Sequence, residues 1–310
     1  HVNSSELWKN PKIEPRISTN TKTGEISNEQ EQAEYKGLKF LIHQTRTELN
    51  GSLHTFYNHG FHNYNDFHFR KLESVILELK YDLGIEPEKS VLNNLEIGIN
   101  IELSYPPDKF LNQIIMHRGI PFTWQHDKTK RYRECSHTQF FIKSYDKGSQ
   151  NQLNRYIFRF ELKYIKMERI NQLGIKTLSD LIKPGNLERI GELIVNTFDE
   201  ILIGNLKADY SQLNQRDREL FINGHNDKYW LNIKPTDSTA PDYKKEYKRY
   251  ERRLTRFSEL LEKTGANQQK KEIRELIVQK INELCDPEKT GGIDRNSLYK
   301  NRGKLTNSTS

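Results

Sequence analysis

The sequence predicts an α+β fold in which an antiparallel sheet carries helices on one face and is followed by a C-terminal helical region. Three observations predict it. Three stretches, LNNLEIGINIEL, TQFFIKSYDK and RYIFRFELKYI, alternate apolar and polar residues with the period of two of a half-buried strand. The segment around 69–83 has the spacing of an amphipathic helix. The last third steps by three and four with no strand-like run.

Residues 1–34 are polar and aperiodic and read as a flexible N-terminal arm. From Gly37, GLKFLIH and RTELNGSLHTFY bracket a tight turn and read as a hairpin, with NHGFHNYND as a polar loop behind it. Phe69, Leu72, Val75, Ile76, Leu79 and Leu83 then define a helix stopped by Gly84. In the first alternating stretch Leu95, Ile97, Ile99, Ile101 and Leu103 oppose Glu96, Gly98, Asn100 and Glu102. A short helix is expected from Asp108 to His117, then a loop. In the second stretch Phe140 and Ile142 oppose Phe141, Lys143, Tyr145 and Lys147; in the third, Tyr156, Phe158, Phe160, Leu162 and Tyr164 oppose Arg159, Glu161 and Lys163. GIKTLSDLI and Leu187 to Ile203 read as helical. Residues 35–205 thus form one domain, 206–240 a connector, 241–286 a basic helical hairpin and 287–310 a disordered tail.

Composition narrows the class. A hydrophobic content of 34% supports a core, and no apolar run approaches the ~20 residues of a bilayer span. HVNSSELWKN has neither a basic region nor an apolar stretch, so no secretory signal is expected, and the start without Met reads as a trimmed N-terminus. Cys135 and Cys285 lack metal-type spacing and fit a reducing, cytoplasmic compartment. Net charge is +7 and the pI about 9.1. From Pro241 onward 17 Lys and Arg face 11 Asp and Glu, so most of the excess lies in the tail, where Arg249, Arg252, Arg253 and Arg256 could pair with phosphates.

The polar faces of the three strands gather Glu96, Asn100, Glu102, Tyr145, Lys147, Arg159 and Glu161 on what should be an open side of the sheet. Carboxylates from neighbouring strands suit Mg²⁺ or Mn²⁺, with His137 expected beside Tyr145. A phenol titrates near ~10, so a nucleophilic tyrosine needs a metal, cation or base, and Lys143 and Lys147 flank Tyr145. His54, His59, His62 and His68 read as surface residues. No His-hydrophobe-His triplet, Gly-rich phosphate loop, HExxH or Gly-x-Ser-x-Gly occurs.

Taken in order, YKGLKFLIHQTRTELNGSLHTFYNHGFHNYNDF, LGIEPEKSVLNNLEIGINIEL, HTQFFIKSYDKGSQ and YIFRFELKYIK resemble phage and plasmid replication initiators of the gene-II/gene-X type. The similarity covers about residues 35 to 205. It implies a replication-initiator nuclease domain: a rolling-circle initiator that nicks one strand of replicon origin DNA with metal assistance, leaving a 5′-phosphotyrosine and a free 3′ hydroxyl. The YDK tyrosine falls on Tyr145, with Asp146 and Lys147 beside it, and the acidic residue of the RFE strand falls on Glu161. Glu96 stands where related sequences often have Asp. Tyr57, Tyr64, Tyr132 and Tyr156 remain alternative nucleophiles, Arg159 and the tail arginines are expected DNA contacts, and host replication proteins are further possible partners. Two alternatives stay open: an origin DNA- or RNA-binding protein that does not cut, and a mobilisation relaxase. Phage or plasmid origin is not distinguished.

Overall fold

A computed structural model describes residues 10–16, 31–43, 46–127 and 130–286, which divide into two compact units. The first takes 1–91, 175–187 and the chain from 282 onward; the second takes 92–174 and 188–281. The disordered tail expected over 287–310 lies outside the described residues.

In the first unit, β1 (Glu14–Arg16), β2 (Glu31–Tyr35), β3 (Leu38–Ile42) and β4 (Thr47–Asn50) form an antiparallel sheet in that order. Lys36 and Gly37 link β2 to β3 with φ of 48° and 80°, the two positive values that suit a two-residue hairpin to strand twist. Within the expected flexible arm, residues 1–9 and 17–30 lie outside the described residues, and the expectation is corrected for the rest: β1 and β2 are paired, and Ala33 is buried opposite Phe40. The pairing of β3 with β4 holds, the turn residues 44 and 45 lying outside the described residues, but LHTFY is a helix, α1 (Leu53–Tyr57). The Ser52 hydroxyl accepts the Thr55 amide at 3.1 Å and starts it. Helix α2 (Phe69–Leu83) buries Leu72, Val75, Ile76, Leu79 and Leu83, and Gly84 ends it at φ 66°. The 3₁₀ turn Leu178–Ile182 rejoins this unit, its Leu178 amide donating to the Ser90 carbonyl at 2.9 Å.

The second unit begins with β5 (Leu95–Glu102), the short helix α3 (Asp108–Leu111) and β6 (Ile114–His117). The helix expected to reach His117 stops early. All four β6 residues are buried, and a strand apolar on both faces has no alternation to separate it from a helix. Then come β7 (Ile120–Pro121), β8 (Thr123–Asp127), β9 (Lys130–Ser136) and β10 (Phe140–Asp146). The hairpin β8–β9 replaces an expected loop; it lacks apolar alternation because Trp124 is covered by the guanidinium groups of Arg131 and Arg133, 3.6 and 5.2 Å from its ring. After α4 (Lys147–Gln150), β11 (Ile157–Tyr164) completes a five-stranded antiparallel sheet in the order β5-β11-β10-β9-β8.

Helices α5 (Glu168–Gln172) and α6 (Asn186–Asp199) follow, then β12 (Ile201–Ile203), which pairs with β6. Helices occupy the apolar face of the large sheet as expected: Phe110 of α3 meets Phe158 edge-on at 5.3 Å, and Phe198 of α6 meets Phe160 at 5.4 Å.

The segment expected to be a connector holds α7 (Gln215–Gly224) and α8 (Asp227–Ile233). They pack with the helical hairpin α9 (Tyr243–Lys263) and α10 (Gln268–Cys285). Phe221, Trp230, Tyr250, Phe257, Leu260 and Leu261 form one buried cluster with Ile115 and Met116 of β6. Among the described residues no helix is long and apolar enough to cross a membrane.

Candidate functional site

Strand register builds the site on the polar face in two adjoining rows. Asn100, Arg159, Tyr145, Tyr132 and Gln125 face one another across five strands; Gly98, Glu161, Lys143, Glu134 and Thr123 form the next row. The rows meet at Glu161. Its Oε2 accepts the Tyr145 hydroxyl at 3.0 Å and the Arg159 Nε at 2.5 Å, while Arg159 Nη1 donates to Asn100 Oδ1 at 3.0 Å. Gly98 makes room for that guanidinium, since a Cβ there would stand 2.6 Å from Arg159 Nη2. The glycine in the alternation is a seat for an arginine.

The face expected to be open is closed at its centre, where Tyr145 is 2%, Glu161 2% and Arg159 8% exposed. Burial raises the Tyr145 phenol above its ordinary range, and Glu161 adds to the shift while Arg159 opposes it. Burial works against the charged Arg159, but Glu161, Tyr145 and Glu96 together outweigh it and the guanidinium stays protonated. Glu96 lies on the edge strand with much of its surface exposed, yet its carboxyl end is crowded; burial there, then the charge of Glu161, raises its pKa.

Of the two expected lysine neighbours, Lys143 keeps the simple alternation and Lys147 departs from it. Lys143 is on the Tyr145 face, 4.0 Å from Glu134 Oε2, with its ammonium 5.4 Å from the Tyr132 ring centre. Lys147 is off the strand, because Asp146 accepts the Ser149 amide at 2.9 Å and turns the chain into α4. Its buried ammonium donates to Gln150 Oε1 at 3.2 Å and lies 5.7 Å from the Tyr145 ring centre. Of the other tyrosines, Tyr132 adjoins Tyr145 in register; Tyr57 packs by Phe67, Tyr64 stacks on His62, and Tyr156 is exposed.

His137 is not with Glu161 and Glu96. Cys135 pairs with Ile142 in register and so takes the buried apolar face, and His137, two residues on, stacks on Phe140 at 4.6 Å. The bend at Thr138 and Gln139 separates His137 from β10, so counting by twos from it to Tyr145 assigns the wrong side. There His137 Nε2 is 2.8 Å from His117 Nδ1 and 3.5 Å from Cys135 Sγ. Burial lowers His117 to about 4 and lowers His137, and it pushes the Cys135 thiol up to about 12. His117 was hidden from sequence reasoning inside a segment read as helix, and no local spacing marks it.

In the tail, Arg252 and Arg253 are exposed on α9. Arg249 pairs with Glu246 at 3.0 Å. Arg256 is an anchor between helices, bonding Asp217 at 3.0 and 2.7 Å and Glu259 at 2.8 Å. Compared with known proteins, the chain matches no family model and has no significant match to a curated protein or a solved structure.

Proposed function

We propose that this protein is a rolling-circle replication initiator that nicks origin DNA through Tyr145. The observation that carries the reading is the hydrogen-bonded chain of phenol, carboxylate and guanidinium on one sheet face, with Glu96 beside it. In the step we infer, the Tyr145 hydroxyl passes its proton to Glu161 as its oxygen bonds to phosphorus. The bond from phosphorus to the 3′ oxygen breaks, and that oxygen takes a proton from solvent to become the priming hydroxyl. Arg159 holds Glu161 in line and balances its charge.

Glu96 and Glu161 fit a hard divalent ion, because two crowded carboxylates, one of raised pKa, lose their mutual repulsion when a cation joins them. Bound there, Mg²⁺ or Mn²⁺ supplies Lewis-acid polarisation of the phosphate. His137 is outside that donor set. Since Tyr145 is 2% exposed, the reading requires that DNA uncover this face before reaction.

The same burial favours a second reading, an origin DNA- or RNA-binding protein in which Tyr145 is structural and Arg252 and Arg253 bind phosphate. One assay separates the two. Supercoiled DNA of the replicon that encodes the chain is incubated with protein and Mn²⁺, then treated with SDS. The nicking reading expects a protein-linked nicked product that is lost in Tyr145→Phe and kept in Tyr132→Phe. Full adduct yield from Tyr145→Phe rejects Tyr145, and no adduct from the unaltered chain selects the binding reading.

A further inference from the structure

We propose that His117, Cys135 and His137 form a site for a borderline-soft divalent cation of the Zn²⁺ type, separate from the Tyr145 face and independent of the nicking reading. The three ligand atoms lie within 4.8 Å of one another, and His117 and Cys135 are both fully buried. They come from different strands: His117 ends β6, Cys135 lies in β9, and His137 follows β9 where its amide donates to the Phe140 carbonyl at 2.9 Å.

The neighbours of the site aim its lone pairs. Glu200 Oε2 is 2.9 Å from His117 Nε2, and Arg118 Nη2 donates to the other Glu200 oxygen at 2.6 Å. A carboxylate can only accept, so the neutral His117 carries its proton on Nε2 and turns the Nδ1 lone pair toward Cys135 and His137. This is the arrangement by which an outer carboxylate fixes the tautomer and raises the basicity of a metal-binding histidine. Stacking on Phe140 holds the plane of the His137 ring.

Distances suit the ion. Tetrahedral zinc, with bonds of about 2.0–2.1 Å to nitrogen and 2.3 Å to sulfur, sets its ligand atoms about 3.3 Å apart for two nitrogens and about 3.6 Å for nitrogen and sulfur. His137 Nε2 lies 3.5 Å from Cys135 Sγ, the two histidine nitrogens, now 2.8 Å apart, need open by about half an ångström, and all three ligand atoms lie within 4.8 Å of one another. The Cys135 thiol gives its proton to solvent as the sulfur–metal bond forms. Two imidazoles and a thiolate select zinc over Mg²⁺ or Mn²⁺, and three protein ligands leave a fourth position for water. Half-buried His137 is the side from which the ion enters.

The test is a Co²⁺ titration of the full chain after dialysis against chelator. The expected result is uptake of one equivalent with thiolate-to-cobalt absorption that Zn²⁺ displaces and excess Mg²⁺ does not. Cys135→Ser should abolish that absorption, Cys285→Ser should retain it, and His137→Gln and Glu200→Gln should weaken uptake at least tenfold. Because a buried Cys135 variant can fail to fold, alkylation of Cys135 in the unaltered chain gives a second reading, and Zn²⁺ should slow it at least tenfold. Unchanged absorption in Cys135→Ser, no stoichiometric uptake by the unaltered chain, or alkylation indifferent to Zn²⁺ overturns the proposal.

Discussion

Glu161 answers two buried groups at once, a neutral phenol and a charged guanidinium, and that double duty decides what its substitution does. Glu161→Gln leaves Arg159 buried without its counter-charge, and breaking such a pair costs about 3–5 kcal/mol. The substitution is therefore no clean probe of chemistry. We expect urea unfolding to register the loss, and the double variant Arg159→Met/Glu161→Leu to recover most of it because no charge is then left behind. Recovery of less than half would mean that the pair contributes more than charge balance. Asp180 predicts a pH effect. Its carboxylate accepts the Lys176 and Thr177 amides, both at 2.8 Å, and pairs with Lys183 at 2.6 Å. Burial works against the charged form, but Lys183 and the two amides outweigh it and hold the carboxyl well below its ordinary range. A depressed pKa stabilises the fold above the unfolded value of about 4 and loses that contribution as pH falls through the folded value. Stability measured from about pH 7 to about pH 3 should thus fall less steeply in Asp180→Asn than in the unaltered chain.

At the scale of elements, the contact between α7 and α9 leaves almost no free volume. A Cβ on Gly224 would come 2.4 Å from the fully buried Phe257 ring, so Gly224→Ala should cost about 1–3 kcal/mol by overpacking. A midpoint of urea unfolding unchanged from the parent would show that the helices separate freely. The elements differ in how openly the sequence announces them. Strands β5, β10 and β11 and helix α2 each carry apolar residues on one face and more polar ones on the other, so their periods are visible from residues alone, even where, as in β11, both faces are buried. Ile114–His117 and Ile201–Ile203 are covered on both sides, and the same apolar run suits a helix. Strand β9 hides for the opposite reason, since its Arg131 and Arg133 satisfy Trp124 by charge and give no hydrophobic alternation. The cluster of Tyr145, Arg159 and Glu161 was legible because all three lie on alternating strands. The grouping of His117 with His137 was not, because it depends on a side-chain contact between the ends of strands of two different sheets, 20 residues apart in sequence.

At the scale of the whole molecule, the basic tail is not a detachable arm. Tyr250, Phe257, Leu260 and Leu261 share a core with Phe221, Trp230 and Met116, so removing residues 241–310 should expose that core and unfold the second unit, not leave a trimmed nuclease. Arg252 and Arg253 are exposed, and replacing both with Ser should lower duplex affinity and flatten its salt slope with little change in melting temperature. A salt slope equal to that of the parent would assign DNA binding elsewhere. Chain order carries one more consequence. The first unit is discontinuous: Val91 bridges to Thr177 only after the whole of Leu92–Gly174 has intervened. At ~5–20 residues per second of synthesis, helix α2 and the Pro87–Val91 stretch wait on the order of ten seconds for that closing segment to emerge. The part of α2 and of Pro87–Val91 that this segment meets stays open to wrong partners for that time, and the yield of active protein becomes a matter of translation speed and chaperone supply as much as of final stability.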